Sequence, residues 1–148
     1  MFKRLFAASI WAPGNIRPDD WRFRGIFRYV LPGNNLIFLY FGVVGFINGV
    51  GSVTDATSAA YAAFWSASIA IVSLVCLIGV SFPKLGAVEL AGKLVLIGLV
   101  ALYVAVLAVR SLDVITSQAT AGLLVMLVTL PIWRVLDLGV QLRKRARG

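Results

Sequence analysis

The chain has no histidine and only one cysteine, Cys76, in 148 residues. The first absence removes imidazole ligands and imidazole acid–base catalysis. The second removes any intrachain disulfide and any multi-cysteine metal site. Charged residues are scarce at 14%, while apolar residues reach 60% and the mean hydropathy is +0.93. Soluble domains carry about 25% charged and about 45–50% apolar residues. A chain this short buries only about two-thirds of its surface, so a soluble core cannot hide the excess. Lipid as solvent removes that difficulty. Phosphate-binding glycine loops, G-x-G-x-x-G, H-E-x-x-H and G-x-S-x-G are all missing. The carboxylates Asp19, Asp20, Asp55, Glu89, Asp113 and Asp137 fall in stretches that read as loops or helix ends. That placement argues against a proton-coupled transporter, which needs a carboxylate at depth beside a partner. The expectation is a non-enzymatic protein with no cofactor and no metal.

What the chain does have is long charge-free intervals. Arg28 and Asp55 enclose 26 uncharged residues, Asp55 and Lys84 enclose 28, and Asp113 and Arg134 enclose 20. A helix needs about 20 residues to cross about 30 Å of hydrocarbon. A fourth stretch, Leu94 to Val109, has only 16. Lys93 and Arg110 bound it, and both have stems long enough to reach headgroups. Four spans are therefore expected, at about 36–53, 59–82, 87–109 and 116–136, within a membrane domain 36–138. Short connections carrying turn or capping residues force consecutive helices to be antiparallel neighbours. The fold class is an all-α integral membrane protein, a four-span antiparallel bundle of two helical hairpins preceded by one or two cytoplasmic interfacial amphipathic helices.

Fourteen Lys/Arg against six Asp/Glu give a net charge of +8, concentrated at the chain ends. Such a distribution fits anionic lipid headgroups better than nucleic acid. With four spans, both basic ends and Lys84 share one face, which the positive-inside rule makes cytoplasmic. An odd number of spans would split the basic ends. A bacterial or phage-encoded cytoplasmic membrane is the expected location.

Residues 1–35 read as a cytoplasmic-side interfacial segment. Phe2 and Phe6 share a helical face with Leu5 and Ile10, with Lys3 and Arg4 off it and Trp11 following. Pro18, Asp19 and Asp20 mark a helix start. Beyond it Phe23 and Phe27 lie on one face, among Trp21, Arg22, Arg24 and Arg28, and the LPGNN stretch reads as the turn before the first span. The C-terminal residues 139–148 read as a basic cytoplasmic tail carrying Arg143, Lys144, Arg145 and Arg147. These aromatic and basic residues are candidates for contact with the membrane surface or a partner.

Small residues mark where membrane helices can approach closely. Gly42, Gly45 and Gly49 share a face of the first span, and Ala59, Ala63 and Ala67 repeat every fourth residue in the second. In the third, Ala91, Gly98 and Ala105 repeat at seven, with Ala101 on the offset series. These are candidate packing surfaces, within one chain or in a homo-oligomer. Glu89 with Lys93, and Arg134 with Asp137, have the spacing of helical ion pairs and are expected at the membrane interface. Pro131 is expected to kink the fourth span. Ser66, Ser68 and Ser73 are candidate pore-lining hydroxyls.

Small size, short-looped spans and the tail QLRKRARG look like phage holins as a broad class, in topology rather than in any motif. That resemblance implies a self-associating, membrane-permeabilising protein. Two other functions fit the same features: an accessory or assembly subunit docking a larger membrane complex through its basic aromatic N-terminal segment, and a small channel or carrier.

Overall fold

The computed structural model describes residues 6–16, 24–110 and 115–147, and within them regular structure is entirely helical. Four of the helices are long and apolar enough to cross a membrane: Ile26–Asn48, Ala59–Ser81, Pro83–Val109 and Thr120–Arg143.

The first long helix begins as a π-helical turn, Ile26–Val30, and continues as α1, Leu31–Asn48. The LPGNN stretch is therefore helix and not the expected turn, and the first long apolar helix begins before residue 36. Pro32 explains how. Proline is tolerated in a first turn, but it has no N–H to give the carbonyl four residues back, that of Arg28. The Trp11 indole N–H donates to that carbonyl at 3.2 Å instead. Arg28 returns the contact by donating its Nε–H to the carbonyl of Ile10 at 3.3 Å. A long-range clasp thus occupies the acceptor that proline leaves open.

Gly49, at φ +77°, ends α1 in a conformation that side-chain-bearing residues avoid. The connection that follows, read as a plain loop, folds into a short helix α2, Gly51–Ala56. Ser58 then caps α3, Ala59–Ser81, by accepting from the Tyr61 N–H at 3.2 Å. Phe82 is extended, as a residue before proline prefers, and a 3-10 turn over Pro83–Leu85 leads into α4, Gly86–Arg110. The last helix, α5, runs Ile115–Arg147 with Pro131 inside it. The basic tail is thus the final turns of a helix, because QLRKRAR holds good helix formers and no breaker.

The main helix contacts are α1 on α3, α3 on α4 and α4 on α5. Two glycines set the first. A Cβ on Gly42 would stand 2.5 Å from the Ala70 backbone nitrogen, and one on Gly45 2.8 Å from Ser66 Oγ. Gly79 against the Glu89 backbone and Gly92 against Cys76 Sγ do the same for α3 and α4. The core includes Phe38, Trp65, Ile69, Leu96, Val100, Tyr103 and Leu124. At the α2 end, the rings of Trp65 and Tyr103 lie 4.8 Å apart, and Phe41 stands 6.0 Å from each. Both polar tips are satisfied: Trp65 Nε1 donates to the Leu99 carbonyl at 3.2 Å, and Tyr103 Oη pairs with Ser52 Oγ at 2.9 Å. At the opposite end Ile10 and Ile16 pack on Phe27, Leu31 and Val80.

The outer surface is unlike that of a soluble monomer. Leu36, Ile37, Tyr40, Phe46, Ile47, Phe64, Ile71, Leu123 and Met126 are all large and exposed. Apolar exposure on this scale marks a surface built for a partner or for lipid.

Candidate functional site: a charged network inside apolar helices

Four apolar helices enclose a cluster of charge. Glu89 on α4 is 1% exposed and accepts two hydrogen bonds from Arg134 on α5, from Nε at 2.9 Å and Nη2 at 3.1 Å. Such a two-pronged guanidinium–carboxylate pair is the strongest side-chain geometry available. Arg134 Nη1 donates to Asp137 at 2.6 Å, and the Gln141 amide donates to the same carboxylate oxygen at 2.9 Å. The guanidinium also stands 4.8 Å from the ring centre of Phe27, which in turn packs on Trp133. Lys93, one turn beyond Glu89, is fully buried, with Nζ 3.9 Å from Glu89 and 3.4 Å from Asn35 Oδ1 on α1. Gly79 of α3 lies against the Glu89 backbone, so all four long helices meet here.

The two local pairs expected from spacing are both present, but they are not separate. Arg134 bonds Glu89 and Asp137 together, joining positions 45 residues apart. Glu89 lies in the first turn of α4, near a helix end as expected. It sits six residues inside the helical run from Pro83, about 9 Å at 1.5 Å per residue, and Lys93 about 15 Å inside. What spacing did not show is that Glu89, at this helix end, is buried rather than exposed. The reason for that burial is tertiary: Arg134, preceded in sequence by 20 uncharged residues, supplies the partner that makes burial tolerable.

Asn34, Asn35, Ser66 and Ser73 add a further feature. Both polar atoms of Asn34, Asn35 Nδ2 and the two hydroxyls are buried and have no hydrogen-bond partner among the described residues. Other hydroxyls in these helices turn back on their own backbone: Ser68 to the Phe64 carbonyl, Ser81 to Leu77 and Thr129 to Val125. Of the candidate pore-lining serines, Ser66 and Ser73 are thus buried and unpartnered, while Ser68 is satisfied locally.

A cavity of about 70 Å³ lies on the other side of the ion pair. Glu89, Arg134 and Gln141 line it together with Asn15, Ile10 and Ile16 of the N-terminal segment. That segment is held by the Trp11–Arg28 clasp and by the Ile10 N–H donating to the Ser81 carbonyl at 2.9 Å.

The remaining surface and packing candidates divide as follows. Phe2, Lys3, Arg4, Trp21, Arg22 and Phe23 lie outside the described residues. Phe6 is exposed, and the helical turn at residues 6–8 ends at Ser9, whose hydroxyl donates to the Phe6 carbonyl. Phe27 is buried under Arg134 and so is no surface contact, while Arg24 and Arg143 are on the outside. Lys144, Arg145 and Arg147 belong to α5. Gly42 and Gly45 pack against α3, whereas Gly49 terminates a helix. Ala59 is exposed, and Ala63 and Ala67 are half-buried. Ala91, Gly98, Ala101 and Ala105 all face outward.

Gly79, Gly92, Asn34, Asn35 and Gln141 were not singled out by sequence. Adjacent asparagines inside an apolar run were the one available signal, obscured by reading LPGNN as a turn. No known protein family, curated protein or solved structure matches the chain.

Proposed function

We propose that this chain is a non-enzymatic membrane protein, inserted as an antiparallel four-helix bundle with both termini cytoplasmic, that self-associates through α4. The outward face of α4 carries this reading. Ala87, Ala91, Leu94, Gly98, Ala101, Ala105 and Ala108 are all exposed along one side of it. A Cβ on Gly98 would meet nothing within 4 Å. The outward face of α1 carries bulky Leu36, Ile37, Tyr40, Val43, Phe46 and Ile47 instead. Bulky side chains suit lipid, whereas small ones permit a second helix to approach closely. Self-association of a small, short-looped bundle with a basic C-terminal end supports a membrane-permeabilising role of the holin type.

Two experiments test this. Gly98→Cys should give disulfide-linked dimers on mild oxidation in membranes, and Phe46→Cys on the bulky face should not. Induced expression in bacteria should collapse the membrane potential abruptly. If viability and potential persist while dimers form, permeabilisation fails and self-association stands.

The buried charges favour a second reading, a small channel or carrier, since ionisable groups inside apolar spans commonly mark ion pathways. Planar bilayers containing the purified protein would show anion- or cation-selective current; silence at all voltages counts against it. Docking as an accessory subunit has less to support it, because Ile10 and Ile16 of the N-terminal segment are spent on the chain's own core.

A further inference from the structure

We propose that the cavity between the N-terminal segment and the Glu89–Arg134 pair binds an uncharged hydroxymethyl group, carried by a small alcohol or by a lipid headgroup. The wall of this cavity has two unlike sides. Ile10, Ile16, Phe27 and Val80 line it and belong to one apolar cluster. Glu89, Arg134 and Gln141 line it too, and Asp137 links the last two through hydrogen bonds of 2.6 and 2.9 Å. Glu89 and Arg134 are both more than nine-tenths buried, at 1% and 8% exposed.

Charge sets the first property of the ligand. Lys93 and Arg134 stand against Glu89 and Asp137, two cations and two carboxylates, so the network is balanced. An added ion would go uncompensated there, whereas a neutral polar group leaves the balance intact. Hydrogen bonding sets the second property. A guanidinium has five N–H donors, and Arg134 spends three of them, two on Glu89 and one on Asp137. Gln141 donates from Nε2 to Asp137, and its Oε1 accepts from no donor among the described residues. A hydroxyl both donates and accepts, so one such group can serve Gln141 Oε1 and Arg134 together.

Size sets the third property. The cavity, at about 70 Å³, has room for about two water-sized groups of about 30 Å³ each. Two waters would leave one of them against the apolar cluster, short of partners. A carbon is favoured in that place, because apolar groups displace poorly ordered water at a gain. A carboxamide is too large, and one oxygen with one carbon meets all three conditions. Asn15 is exposed and Leu142 half-buried in the same wall, so the remainder of a longer molecule leaves on that side. The site requires neither self-association nor permeabilisation.

The test is photolabelling of the full-length protein in phosphatidylcholine nanodiscs. Two probes each carry a diazirine close to a hydroxymethyl end: a short free alcohol, and a monoacylglycerol labelled at its glycerol end. Each is paired with its methyl ether, which accepts a hydrogen bond but cannot donate one. Saturable labelling of the peptides holding residues 10–16 and 138–142 is expected, several-fold stronger for the alcohols than for their ethers. Saturation by the free alcohol assigns a soluble ligand, and saturation by the monoacylglycerol alone assigns a lipid one; either supports the site. Gln141→Met removes the amide from a half-buried side chain and should weaken apparent affinity about fivefold, the value of one hydrogen bond. Gly86→Ala adds a methyl to the wall at an ordinary 3.6 Å from Leu138, so it should fold and lower the labelling several-fold. Equal labelling by alcohols and ethers overturns the proposal. So does an absence of saturable labelling, which leaves the cavity to water, or labelling that both variants leave unchanged.

Discussion

Replacing Glu89 by glutamine takes one negative charge from the buried network and changes almost nothing in size. Wild-type Glu89, 2% exposed at its side chain, accepts two hydrogen bonds from Arg134 and lies 3.9 Å from Lys93. The glutamine oxygen keeps one Arg134 contact, but its amide nitrogen replaces the second acceptor with a donor that faces a donor. Arg134 retains Asp137, and Lys93 loses its nearest opposite charge. Breaking a buried pair by removing one partner costs about 3–5 kcal/mol, because the survivor stays buried. One retained hydrogen bond places Glu89→Gln near the lower end, at about 3 kcal/mol. Reversible unfolding in mixed micelles gives the number. The triple variant Glu89→Gln, Lys93→Met, Arg134→Met removes the stranded cations and should recover most of the loss, since apolar groups of similar volume replace buried ions at little cost. A loss of about 1 kcal/mol or less for Glu89→Gln is what exposed pairs give, and would refute the assignment of this network to the bundle interior.

Other outcomes follow from the packing. Gly42→Ala should destabilise the protein by about 1–3 kcal/mol in the same assay, because the new Cβ meets Ala70 backbone rather than a flexible side chain. Gly98→Ala should leave monomer stability within about 0.5 kcal/mol, as an outward change away from any contact. Trp11→Phe removes the donor to the Arg28 carbonyl and should cost about 1 kcal/mol; faster proteolysis within residues 6–16 would report the loosened segment. For topology, Asp55→Cys and Asp113→Cys should label from outside the cell and Lys84→Cys only after permeabilisation; any other pattern overturns the proposed orientation.

The helical class and the number of apolar helices were legible because charge-free length is a one-dimensional property. Helix ends were less so. LPGNN carries every local mark of a turn, yet α1 runs through it, because Trp11 supplies from 17 residues away the donor that Pro32 removes. No local rule anticipates a partner at that separation. The same holds at the other terminus of α1, where Gly49 belongs to the glycine series by spacing but serves as the stop. Spacing assigns residues to a face; it does not say where the helix ends.

The network was legible in pairs and hidden as a whole. Spacing places Glu89 beside Lys93 and Arg134 beside Asp137, but nothing in it turns the two pairs toward each other. The same gap affected α4, whose two seams alternate along one helix. Glu89, Lys93, Leu96, Val100, Tyr103 and Leu107 are buried, while Ala91, Leu94, Gly98, Ala101 and Ala105 face outward. In a water-soluble helix, hydropathy separates such seams, since the polar one faces solvent. In an apolar helix that criterion inverts. The charged pair faces inward, where Arg134 and Asn35 partner it, and the leucines and valines in register with it follow. Once Glu89 and Lys93 fix the rotation of α4, the small residues have only the outside left. Their exposure is therefore a consequence of the ion pair, and Glu89→Gln with Lys93→Met together should free α4 to rotate. In that variant the Gly98→Cys crosslink proposed for dimers should fall while Leu96→Cys gains one; an unchanged Gly98 crosslink would show that packing at Gly79 and Gly92, and not the charges, sets which face α4 turns outward.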